Sequence, residues 1–405
     1  MEITNGASTT SRRPDRMLTE ARTSMARGSV VFLGDDAARK DWQMGLHGAI
    51  YGYRPMWWRQ AIIDAVSCTC ATSFAAAGAL RVADRLNMCY PTMEAVRFMV
   101  NGSDPCAAAV KLARAVTGRD NLLVFGYHGT ASAYCTPPEV NARPGLPAID
   151  MRRGTMKPEQ NAFVPLRWLD TVTSLDIDWK HIAALVVECP PDDSGKPAAR
   201  QWLRRLCARA RRAGALVIMD EVVTGFRYQL EGATGYYGLH EHVDLVCLGK
   251  TLGNGYPVAA LLGKKDIMDN LTQGVHFSGT FFGEPIGMAV ASAFLEELHS
   301  APPWGHLYDV GNYLKRKWNA LGLEWRLVGH PTRPVLEPIA GHSPGERKRL
   351  NSLRRYLFER GHIIVDHPWY VTTEHTKADV RALFNIVADS MDKERGPEWL
   401  NTTTI

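Results

Sequence analysis

Long apolar runs are missing from this chain. None of its 405 residues falls in a run of eighteen apolar positions, so no segment reads as a membrane-spanning helix. Residues 1–16, MEITNGASTTSRRPDR, also lack the apolar stretch of a signal peptide and read as a polar tail. Cysteine is sparse, with eight scattered along the chain. Only Cys68 and Cys70 stand close, and a lone CxC has no second cluster to complete a zinc site, so no metal is expected. The other cysteines sit in apolar contexts such as VVEC and LVCLG. They predict reduced core thiols and a cytoplasmic compartment. Neither sign of charge dominates: 47 Lys and Arg against 42 Asp and Glu leave a net +5. That permits an anionic ligand and gives no basic footprint that would demand nucleic acid. No internal repeat and no low-complexity linker appears.

What is present is a hydrophobic fraction of 45%, enough for one large α/β domain and a smaller one. From about residue 95 strand and helix patterns alternate. Strands are expected at 95–100, 121–126, 183–189, 215–221, 244–250 and 257–263, with helices at 105–118 and 198–214 between them. The strand runs are continuously apolar, as strands covered on both faces must be. The alternation implies a mostly parallel sheet. Helical patterns resume at 285–300, 306–321, 345–360 and 376–391, and HIIVDHPW (362–369) reads as a strand. The expected division is a large domain over 50–300 and a small α+β domain from the arm 1–49 and residues 301–405.

One short stretch poses the functional question. CLGKTLGNGYP (247–257) places Lys250 just past an apolar strand, where burying an amine is costly. A phosphate-clamp reading fails on the sequence, because the G-x-x-x-x-G-K-T pattern needs glycine at the position of Asp244. Asp220 also ends an apolar strand, thirty residues before Lys250. Ligands of parallel α/β sheets bind beyond the carboxyl ends of strands. An acid and an amine there suit pyridoxal 5'-phosphate (PLP): the amine forms a Schiff base with the aldehyde and the acid holds the pyridine nitrogen protonated. A structural Asp–Lys ion pair is the competing reading of these two residues alone. NGSDP (101–105) follows a strand and opens a helix. There Gly102 lets backbone approach closely, Ser103 offers a hydroxyl and the helix start offers N–H groups to a phosphate. In FGYHGTASAY (125–134), Tyr127 or His128 is placed to stack on a planar ring, or else to serve as an ordinary loop aromatic.

The order of these elements, with NGSDPCAAAVKLARAVTGRD, YHG, IMDEVVTGFR, LGKTLGNGYPVAALLGKKDIM and SGTFFGEPIGMA, resembles the class III PLP-dependent aminotransferases of fold type I. Within them the chain is most similar to the glutamate-1-semialdehyde aminomutase branch, through DEVVTGFR and TFFGEP. The resemblance covers residues 40–300 well and the ends thinly. It implies Lys250 as the Schiff-base lysine, Asp220 at the pyridine nitrogen, Val222 on one ring face and Tyr127 on the other, with His128 beside it. It implies Gly102 and Ser103 at the phosphate. Thr280 would reach the phosphate of a neighbouring subunit, hence a homodimer with its active sites at the interface. Arg27 stands where relatives often place a carboxylate binder, and it reads equally well as a solvated arginine.

Some segments depart from the family pattern. Asp104-Pro105 replaces the usual Glu-Ala, GDDAARKDW (34–42) reduces an N-terminal hairpin signature, and GAIYGYRPMWW (48–58) rebuilds a loop that lines the substrate side in relatives. The expected function is therefore amino-group transfer or migration on an amine or amino acid. A PLP-dependent decarboxylase or lyase is the alternative, with an amino-acid-like group carried even by a nucleotide. A PLP-fold binding module without activity is disfavoured by the intact Asp220 and Lys250.

Overall fold

The computed structural model describes residue 12 and residues 22–34, 37–131, 152–166, 177–189, 197–339, 344–365, 368–392 and 396–397. The polar tail 1–16 apart from Arg12, residues 132–134 of the Tyr127 loop, residues 35–36 of GDDAARKDW and residues 366–367 of HIIVDHPW lie outside them. The chain divides into two compact units, one from residues up to Pro55 and from Pro303 onward, the other from Met56 to Pro302.

The first unit opens with an antiparallel ribbon of β1 (Thr23–Arg27), β2 (Val30–Leu33) and β3 (Ala38–Asp41). Val31 and Leu33 alternate inward from it, as period-two burial requires.

The second unit begins with helices α1 (Met56–Cys68) and α2 (Ala79–Cys89). Strand β4 (Ala95–Met99) leads into α3 (Ser103–Thr117), which stops where Gly118 turns left-handed at φ 63°. Then come β5 (Asn121–Phe125), β6 (Phe163–Pro165) and β7 (Ile182–Glu188). Helix α4 (Pro197–Arg212) follows, and Ala199, Trp202, Leu203, Leu206, Cys207 and Ala210 form its buried stripe at helical spacing. The unit closes with β8 (Leu216–Asp220), α5 (Gly232–Tyr237), β9 (Leu245–Leu248), β10 (Ala259–Gly263) and α6 (Pro285–Ser300).

The sheet order is β4-β10-β9-β8-β7-β5-β6. The five strands from β9 to β6 run parallel, and β10 is antiparallel to both its neighbours. The stretch from Leu248 to Ala259 is too short for a crossover, so β10 must return antiparallel. Every residue of β7, β9 and β10 is buried, which explains their continuously apolar sequence.

The chain then returns to the first unit through α7 (Trp304–Asn319), the pair β11 (Trp325–Val328) and β12 (Val335–Pro338), α8 (Pro344–Glu359), β13 (His362–Ile363) and α9 (Lys377–Asp389). Of the strand expected over 362–369, the described residues show the two of β13, which pair in parallel with β3. No described helix is long and apolar enough to cross a membrane.

Candidate active site

The parallel register brings three strand ends level: Glu188 pairs with Asp220, and Asp220 with Cys247. Asp220 is buried at 3% exposure and fully engaged. Its Oδ2 lies 2.8 Å from Nδ1 of the buried His128, and its Oδ1 accepts the Val222 N–H at 3.0 Å. The Cys106 thiol of α3 donates to Oδ2 at 3.5 Å. On the other side of His128, Nε2 lies 3.0 Å from the Phe125 carbonyl. A carbonyl can only accept, so Nε2 carries a proton. The Nδ1–Oδ2 bond needs another, so the dyad holds its own proton between ring and carboxylate. Cys106 and Cys247 stay thiols. A hydrogen bond to Cys247, then burial, pushes Cys106 well up, and burial raises Cys247.

Lys250 follows β9 after one extended glycine, Gly249, and opens a short turn to Gly253. Its φ is 38°, a left-handed conformation that costs a residue with a Cβ about 1–2 kcal/mol. Such strain persists only where the surroundings enforce it, and it clusters at functional sites. The indole of Trp58 braces the turn by donating to the Gly253 carbonyl at 3.0 Å.

Three segments converge beside this turn. A Cβ added at Gly102 would lie 2.6 Å from Val222 Cγ1. One added at Gly249 would lie 3.4 Å from both Gly102 Cα and Val222 Cγ1. Only glycine fits at Gly102. Next to it the Ser103 hydroxyl accepts the Thr130 N–H at 3.3 Å, and Gly129, at φ 92°, leaves it space that a Cβ would fill. Just before the cap of α3, the Asn101 side chain accepts the Ser103 N–H at 2.9 Å.

Tyr127 is 44% exposed, and its N–H donates to Glu188 Oε2 at 3.0 Å. Thr280 is exposed on the turn before α6, next to the exposed Phe281. No described contact joins it to the Asp220 cluster. Arg27 belongs to the other unit, exposed at the end of β1, with no ion-pair partner among the described residues.

The sequence profile of the family described as aminotransferase class-III matches residues 11–324. The chain belongs to the class-III aminotransferases. It is 33% identical over 400 residues to a glutamate-1-semialdehyde 2,1-aminomutase from Methylacidiphilum infernorum (isolate V4), covering 91% of this chain and 90% of that one. Among solved structures it is similar to an omega-transaminase from Sphaerobacter thermophilus, with TM-score 0.81 and 22% identity over 96% of this chain and 93% of that one. A glutamate-1-semialdehyde aminomutase from Pseudomonas aeruginosa PAO1 matches with TM-score 0.75 and 19% identity over 92% and 87% of the two chains. These last two likenesses carry the fold: the PLP-dependent fold type I, here as a mostly parallel seven-stranded sheet flanked by helices.

This class-III chain is a PLP-dependent aminotransferase or aminomutase. Its own residues fit that cofactor. A buried carboxylate backed by a proton-bearing imidazole suits a ring nitrogen, and the Gly102–Val222–Gly249 cradle leaves backbone open where side chains are excluded. Sequence reasoning missed Cys106, Glu188 and Gly249, which act across elements. It also missed Glu221, buried beside Asp220. Burial raises its pKa, and its carboxylate accepts from Thr224 Oγ1, from Ala233 N at 3.0 Å and from Thr234 N and Oγ1 at 2.6 and 2.7 Å. Its signal was present in DEVVTGFR, where one acidic residue directly follows another at a strand end.

Proposed function

We propose that this enzyme moves an amino group on an amine or amino acid, by transfer or migration, and that Lys250 and Asp220 carry the chemistry. The juxtaposition of Asp220, held by His128 at 2.8 Å, with the left-handed Lys250 beyond the adjacent strand supports this best. PLP, when bound, supplies an aldehyde for amine capture and a ring that takes up carbanion charge. Lys250 would hold the cofactor until substrate amine replaces it. Its freed Nζ would take the proton from the substrate carbon next to nitrogen and return it to the carbon on the other side of that nitrogen, a 1,3-shift. The Asp220 carboxylate would accept from the ring nitrogen, with His128 fixing it in place. Val222 and Tyr127 would flank the ring, and Gly102 and Ser103 would hold the phosphate. Arg27 is assigned to a substrate carboxylate and Thr280 to the phosphate in a partner subunit, which makes the unit of function a homodimer. The large unit is accordingly the cofactor-binding domain. The seven described cysteines are all free, which suits a cytoplasmic setting.

The test follows the cofactor with a panel of amines and amino acids. Amino transfer leaves it as pyridoxamine phosphate after one half-reaction without an acceptor, and Lys250→Ala abolishes turnover. Stoichiometric carbon dioxide with no pyridoxamine form would replace this reading with a decarboxylase.

A further inference from the structure

We propose that the cleft between α4 and α5 is a second ligand site, built for a small molecule bearing a polyphosphate or several phosphate groups. The cleft encloses about 790 Å³ and is lined by Arg200, Gln201, Arg204 and Arg205 of α4, facing Gln229 and Tyr236. None of these residues belongs to the Asp220–Lys250 site.

Charge carries the argument. Helix α4 holds six arginines and no acidic residue in its sixteen positions. Two of the three outside the cleft have partners of their own. Arg211 lies 3.9 Å from the Asp244 carboxylate, and Arg209 sits 5.6 Å over the Trp179 ring. In the cleft, Arg200 Nη2 donates to the Tyr236 carbonyl at 2.6 Å, which ties the two walls together. Arg204 and Arg205 have no carboxylate within ion-pair reach among the described residues. The arginine charge reaches a neighbour: His242 titrates below its ordinary value, through partial burial first and then the charges of Arg204 and Arg211, against an opposing pull from Glu241 and Asp244. Adjacent guanidiniums repel one another, and an anion bound between them relieves that repulsion.

Shape and donor chemistry select the anion. Guanidiniums present paired N–H forks that match phosphate oxygens two at a time, and three of them suit more than one phosphate group. The Gln201 and Gln229 amides add neutral donors, and the half-buried Tyr236 ring offers a face for a planar moiety. A concave site of this volume lies in the range of small-molecule pockets, roughly 300–1,000 Å³. A nucleic-acid surface would present its charge along an extended face instead.

The experiment titrates PLP-loaded protein with pyrophosphate, ATP and inorganic phosphate by calorimetry at fixed ionic strength. Pyrophosphate and ATP should saturate one site per chain, at least tenfold more tightly than inorganic phosphate. ATP binding tighter than pyrophosphate places an aromatic moiety on Tyr236, and equal affinities identify phosphate recognition alone. Arg204→Ala combined with Arg205→Ala should weaken pyrophosphate at least tenfold and leave the cofactor's visible absorbance unchanged. Should that pair fail to fold, pyrophosphate should protect Arg204 and Arg205 of the unaltered protein from phenylglyoxal, read by mass spectrometry. Unchanged affinity in the double variant, absence of saturable binding, or release of PLP as the anion binds overturns the site. A short RNA or acidic peptide binding more tightly than ATP overturns the small-ligand assignment.

Discussion

At the scale of single residues the site depends on two close fits. The first is the dyad. Asp220 is placed to accept from a ring nitrogen, and its contact with His128 at 2.8 Å fixes the carboxylate's orientation. Removing one partner of a buried charged pair costs roughly 3–5 kcal/mol. Asp220→Asn should therefore lower kcat by about two to almost four powers of ten while some cofactor still binds; near-normal turnover would show that another group tunes the ring. The second fit is steric. Gly102→Ala places a Cβ 2.6 Å from Val222 Cγ1, so either the valine or the 101–103 backbone must move. We expect cofactor affinity to fall at least tenfold by equilibrium dialysis, and Val222→Ala in the same chain to restore part of it. If the second substitution restores nothing, the loss comes from the backbone rather than from this contact.

At the scale of elements, the strands that carry the site were legible and their supports were not. The runs 183–189, 215–221 and 244–250 announced themselves because β7, β8 and β9 are buried on both faces, and Asp220 and Lys250 stand out as polar residues where such runs stop. Cys106 and Glu188 could not be read, since their partners come from other elements. The ribbon β1–β3 showed only as the reduced hairpin signature at 34–42, because sequences such as TSMAR and ARKD are polar. That ribbon and the loop before α9 enclose His375, which lies 4.3 Å from Trp42 in a stack. Its ring donates Nε2–H to the Asp41 carbonyl at 3.1 Å, and Nδ1 accepts the Thr372 N–H at 3.2 Å. A second ring proton has no place. Burial first, then the Lys40 and His306 charges, push His375 down to about 3, against an opposing pull from Asp379. The sign follows: the unfolded chain binds this proton more readily, so stability is present above pH 6.5 and is lost as pH falls towards 3. Each pH unit in that window costs about 1.4 kcal/mol from this group. His375→Gln should be less stable than the parent at pH 7.5 but lose stability less steeply between pH 6.5 and 4.5 in urea melts. Parallel slopes would remove His375 from the acid response.

At the scale of the whole molecule, the surface of the large unit is unfinished. Helix α1 packs against α6 yet buries none of its thirteen residues. Met56, Ile63 and Val66 are exposed on it, and Phe74, Leu80 and Met88 continue the apolar surface through α2, Phe74 at 85% exposure. Single exposed apolar side chains are ordinary, but six large ones within 33 positions mark an interface. This also explains why α1 gave no core-facing stripe in the sequence: Trp57 and Trp58 turn inward, towards Phe294 and Gly253, while Met56, Ile63 and Val66 stay exposed. A second copy is the occupant that the Thr280 assignment requires, and Phe281 beside Thr280 is likewise exposed. Sedimentation of the loaded enzyme should show a dimer. Under the proposed homodimer, Phe74→Glu with Leu80→Glu should shift it to monomer and release cofactor. Thr280→Ala should weaken cofactor retention and leave the dimer intact, which separates the donated hydroxyl from the contact that delivers it. A monomer that stays PLP-saturated and active would show that the exposed face serves some other partner and that each chain closes its own site.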